Sequence, residues 1–91
     1  MSEKAVKFQP GAMLHDAILG AFRASGRSFE SWCQERKMVT SAGRNVTHGT
    51  MKGPKARALL DQMISAAGPE VVTVGYLTRL RAHVAEFERA A

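Results

Sequence analysis

Five side chains within a nine-residue window carry hydrogen-bonding chemistry at helical spacing: Thr40, Ser41, Arg44, Asn45 and His48. Ser41, Arg44, Asn45 and His48 follow an i, i+3, i+4, i+7 pattern, which places them on one face of a helix. The set suits the edges of base pairs. Arginine makes paired hydrogen bonds to guanine, asparagine makes them to adenine, and hydroxyl groups serve either. Around this window lies a basic stretch. From Arg36 to Leu60 there are six bases (Arg36, Lys37, Arg44, Lys52, Lys55, Arg57) and no acid. The rest of the chain holds seven bases against eight acids, so the whole formal surplus of +5 resides in the centre. Polyphosphate is the partner such a segment suits, because neutralising phosphates releases condensed counterions. Arg36, Lys37, Lys52, Lys55 and Arg57 are the expected phosphate contacts, with Thr47 on the side of the helix as a further one. Lys52 and Lys55 flank a Gly53-Pro54 pair, a helix amino terminus that suits a phosphate clamp.

Other chemistry finds less support. Asp16, Glu30, Glu35 and Asp61 are scattered along helical patterns, and none pairs with a histidine in a catalytic spacing, so an enzyme is not expected. His15, His48 and His83 show no HxxxH spacing and there is no CxxC pair, so neither a metal nor another cofactor is expected. Lys52-Gly53-Pro54-Lys55 lacks the GxxxxGK[ST] spacing of a nucleotide-binding loop.

The elements that must position these groups are helices. At 91 residues the chain has the length of one small domain, and 45% hydrophobic content is that of a globular one. Residues 1–11 read as an N-terminal arm that either stays loose or packs Phe8 on the core. Leu14, Ile18, Ala21, Phe22 and Ser25 outline a first helix over about 12–25, stopped by Gly26. Ser28 caps a second, with Phe29, Trp32 and Cys33 inward. Met38 and Val39 link it to a third over about 41–48, capped by Thr40 and Ser41 and ended by Gly49. There Val46 holds the helix to the body, with Ala42, Met38 and Val39 behind it. Gly53-Pro54 opens a fourth helix with the stripe Ala56, Leu59, Leu60, Met63, Ile64, Ala67. Met13, Met38, Met51 and Met63 are expected in or near the core. Beyond Gly68-Pro69, Val71, Val72 and Val74 weaken the helical signal, which is firm from Tyr76 onward. No alternating strand pair is present. The fold class is therefore all-α, a small five-helix domain in which helices one, two and four form the core, with residues 12–68 as the binding unit and 69–91 as a C-terminal helix. Leu77, Leu80, Val84 and Phe87 lie at a/d spacing on that last helix. They form a seam two heptads long that either packs within the monomer or joins a homodimer, the second being favoured because one short reading helix spans too few base pairs to single out a site.

Two short helices joined by a tight link, flanked by longer ones, make up a helix-turn-helix layout. The run from Leu14 to Gly68 resembles the helix-turn-helix domains of phage and prophage regulators, the Cro/repressor group and the Ner-like proteins. The likeness rests on a first helix ending in Ala-Ser-Gly-Arg-Ser-Phe, the Trp32-Cys33 pair, the turn at Lys37-Met38-Val39-Thr40 and a Gly-Pro-Lys-Ala start to the fourth helix. It implies sequence-specific binding of double-stranded DNA and transcriptional regulation. The chain departs from that pattern at two places. Lys37 stands where the motif usually has glycine, and Gly43 where it usually buries a branched side chain, so the third helix either starts late or packs unusually close to the second. A DNA-packaging or recombination factor of small-terminase type would use the same motif. A helical adaptor for an acidic protein would use the same charge. With no apolar run of membrane-spanning length and no signal-peptide pattern, the expected location is the cytoplasm. A single cysteine agrees with a reducing compartment.

Overall fold

The computed structural model describes residues 8–90. The described residues fold into five α-helices: α1 (Ala12–Ala24), α2 (Phe29–Glu35), α3 (Thr40–Thr47), α4 (Pro54–Ala67) and α5 (Pro69–Ala90), with no strand among them. Val6, assigned to the arm, lies outside the described residues.

Each helix forms where its apolar stripe finds a partner. In α1 the buried positions Leu14, Ala17, Ile18, Ala21 and Phe22 repeat at three- and four-residue spacing. Ser25, expected on that stripe, is exposed and instead ends the helix, its hydroxyl donating to the Phe22 carbonyl at 2.9 Å. Gly26 follows at φ 79°, the left-handed stop. Ser28 caps α2 by accepting from the Ser31 amide at 3.0 Å. Phe29, Trp32 and Cys33 then enter the core beside Phe22. Burying aromatics of this size contributes about 1.5–3 kcal/mol each, so α2 is anchored in spite of its two turns.

Proline starts both α4 and α5, and the two are joined by Gly68 alone, at φ 109°. The beginning of α5 is helical from Pro69, earlier than its β-branched residues suggest. Tertiary packing overrides their propensity, since Val72 is fully buried and Tyr76 nearly so. The core is correspondingly larger than α1, α2 and α4. The first half of α5 belongs to it, and α1 packs more extensively on α5 than on any other helix. Gly75 lies at this contact, where a Cβ would stand at an ordinary packing distance of 3.5 Å from the Ala17 Cβ.

The arm residue Phe8 packs edge-on against Tyr76, with ring centroids 5.1 Å apart. The Gln9 amide donates to the Tyr76 hydroxyl at 3.1 Å, and the Gly11 amide to the Thr47 carbonyl at 2.9 Å. Residues 8–11 thus strap α5 to the end of α3. The a/d seam of α5 divides in two. Leu77 and Leu80 pack against the core, whereas Val84 is half exposed and Phe87 72% exposed. Every residue from Arg81 to Ala90 is exposed.

Candidate nucleic-acid interface

The connection from α2 to α3 is a tight left-handed turn. Lys37 takes φ 56°, donating its amide to the Gln34 carbonyl at 2.9 Å, and the Met38 amide donates to the Cys33 carbonyl at 3.0 Å. This is the paired-bond C-cap in which glycine normally occupies the left-handed position. Lysine adopts it at a cost of roughly 1–2 kcal/mol.

α3 begins at Thr40, a residue earlier than the capping pattern suggests. Thr40 and Ser41 do not cap it; the N-cap is Val39, with no side-chain bond. Val39 is also 68% exposed, so it does not hold the helix from behind as the apolar link implied, and Met51 is exposed as well. The helix is held by Gly43, Val46 and Thr47. At Gly43 a Cβ would lie 2.7 Å from the Cys33 sulfur and 2.9 Å from Phe29 Cζ, closer than real side chains approach. Of the two alternatives left by the glycine, the close approach to α2 is the one adopted. The position where the motif usually buries a branched side chain is here the contact point of α3.

Thr47 is fully buried, which corrects its assignment as a phosphate contact. Its hydroxyl donates to the Arg44 carbonyl at 3.1 Å and lies 2.7 Å from His15 Nδ1. A hydroxyl has one proton to give, so here Nδ1 is the donor to Thr47 and the neutral imidazole carries its hydrogen there. Burial lowers the pKa of His15 below the usual 6.5, helped by nearby His48 and Arg44 and opposed by Asp16 and Glu30. A neutral His15 thus ties α1 to the last turn of α3. The His48 ring, just past the helix, lies over it with centroids 4.5 Å apart.

With Gly43, Val46 and Thr47 turned inward, the opposite face presents Ser41, Arg44, Asn45 and His48, all exposed, and Thr40 sits half-buried at its start. Four of the five expected base-reading residues thus share an open face.

The basic groups divide. Lys37, Lys52, Lys55 and Arg57 are exposed. Arg36 is exposed too, but its guanidinium lies 4.6 Å from the Trp32 ring centre and donates to Gln62 Oε1 at 2.5 Å. It is engaged as a brace between α2 and α4. A cleft of about 640 Å³ opens beside α3, where His48, Lys52 and Arg57 stand around the apolar surface of Val46, Ala56 and Leu60. Gln9 and Pro10 also line it, and a Cβ on Gly49 would meet Pro10 at 2.9 Å. Sequence reasoning missed the roles of His15, Pro10 and Gly43; only the last left a signal, as an unexpected glycine in a short helix.

Among the described residues, no group of three or more His, Cys, Asp or Glu side chains is placed to hold a metal ion. Burial and nearby Glu30 push the Cys33 thiol pKa up, which keeps it protonated. No helix among the described residues is long and apolar enough to cross a membrane. Comparison with known protein families, curated proteins and solved structures returned no match.

Proposed function

We propose that the chain binds double-stranded DNA sequence-specifically, with α2, the Lys37 turn and α3 acting as a helix-turn-helix whose second helix enters the major groove. One observation carries this reading. α3 buries only Gly43, Val46 and Thr47, and so offers the whole opposite face, with Arg44 and Asn45 at its centre, to a groove about 12 Å wide. The acid-free segment around it supplies Lys37, Lys52, Lys55 and Arg57 for the backbone. The mode of action is occupancy: a cytoplasmic regulator of phage type that blocks or recruits polymerase at an operator, with no covalent step and no cofactor.

Selection of bound duplexes from a random pool tests specificity and is expected to return one motif. Titration on random duplex at several salt concentrations tests contact with the backbone. With about four phosphates neutralised per chain, log K falls with log salt at a slope of roughly −3 to −4. A slope near zero would sink the nucleic-acid reading and leave an acidic protein as the partner of the basic face.

A further inference from the structure

The face of α5 that packs into the body does not stop where the body does. Tyr76, Leu77 and Leu80 meet the core, and Val84 and Phe87 continue the same stripe at three- and four-residue steps, both exposed among the described residues. At 22 residues and 1.5 Å per residue, α5 is about 33 Å long, so its last ten residues extend it by about 15 Å. Leaving a phenylalanine 72% exposed on such an extension forfeits burial of the kind that stabilises the rest of the chain.

Charge on this extension points to what covers it. The chain is strongly basic overall, yet residues 81–90 carry two arginines and two glutamates and are neutral. Two copies can meet here without the repulsion their centres would impose. Arg81 and Glu88 lie three residues before and four residues after Val84, so they sit on the same flank of the stripe two turns apart. In a parallel pair this flank would face the partner's other flank, and Arg81 would not meet Glu88. An antiparallel pair brings each Arg81 beside the partner's Glu88.

We propose that the α5 extensions of two copies pair antiparallel about a twofold axis, with Val84 of each packed on the partner's Phe87 and Arg81 on the partner's Glu88. The pairing does not depend on the DNA reading and is tested without DNA. Two turns of helix cover less than a standard interface of roughly 1,600 Å², so the dimer is weak and is populated at about 100 μM.

Sedimentation equilibrium of the full chain, in low salt to limit screening, is the experiment. A monomer–dimer equilibrium is expected. Phe87→Asp abolishes it and leaves the helical circular-dichroism signal unchanged, because that side chain is outside the core. Arg81→Glu and Glu88→Arg each weaken the dimer about tenfold, since every substitution acts twice across a twofold axis. The double variant R81E/E88R returns to within about threefold of the native chain. A mass of 9.9 kDa at every concentration overturns the dimer. Charge variants that leave the dimer unchanged, or whose losses persist in the double variant, overturn the antiparallel pairing. These two do not depend on how Phe87→Asp behaves.

Discussion

The Cα of Gly43 faces the sulfur of Cys33 so closely that a single added methyl would stand 2.7 Å from it. The two residues belong to α3 and α2. Their contact sets how near the helices lie, and therefore how far α3 stands from the body. Gly43→Ala is expected to destabilise the chain by about 1–3 kcal/mol through overpacking, although alanine is the better helix former. Urea unfolding reads the loss as a lower midpoint. Combining it with Cys33→Ala should recover part of that loss, because the sulfur is one of the two obstacles; Phe29 is the other. Strict additivity in the double-mutant cycle would show that the close approach is not the cause.

Lys37 is the described non-glycine residue with positive φ. Lys37→Gly is expected to raise stability by about 1 kcal/mol, the left-handed strain relieved less the extra freedom glycine brings to the unfolded chain. Thermal unfolding checks it. The same variant should weaken binding to all duplexes about equally if the ammonium meets a phosphate, so stability and affinity would move in opposite directions.

His15 sets a pH dependence whose sign follows from its environment. Its pKa in the folded chain is lowered, chiefly by burial, so the unfolded chain binds the proton more readily. Its contribution is therefore complete above about pH 6.5 and declines as the pH falls from there toward the lowered folded value. His15→Asn, which keeps a donor near the position of Nδ1 for Thr47, should flatten that part of the stability profile. Denaturant midpoints measured from pH 5 to 8, with an equal slope in both proteins, would contradict the assignment.

Base readers and backbone contacts separate by comparing two DNAs. Arg44→Ala and Asn45→Ala are each expected to cost about 1–3 kcal/mol on the selected site and much less on random duplex. Lys55→Ala should weaken both about equally. Arg36→Ala should lower stability more than it lowers affinity, because its guanidinium braces Trp32 to Gln62. Equal losses on both DNAs for Arg44 and Asn45 would demote them to backbone contacts.

Periodicity and punctuation made most of the fold legible. The stripes of α1 and α4, the cap at Ser28, and the stops at Gly26 and Gly68 all act locally, and the chain breaks where they stand. What was hidden depends on distant partners. Val72 looks like a strand former until the packing of α5 into the core buries it, and Val39 looks like core until α3 is held elsewhere. Thr47 carries a hydroxyl on a helix flank, and nothing nearby in sequence announces that His15 will take it from 32 positions away. On α3 the outward residues were legible because polar side chains announce themselves. The inward contact was not, because its principal member has no side chain.

The strap at residues 8–11 bears on the order in which the chain assembles. Most contacts in a helical bundle join residues near in sequence and form early, whereas the bond from the Gln9 amide to the Tyr76 hydroxyl spans 67 positions. Closing so long a loop is entropically costly until α1, α4 and α5 have already brought their ends together. The strap is thus the last piece to dock and the first to release. In native-state hydrogen exchange, the Gln9 amide should open at a small fraction of the free energy that releases the mid-helix amides of Ile18 or Phe22. The Gly11 amide, bonded to Thr47, should fall between them.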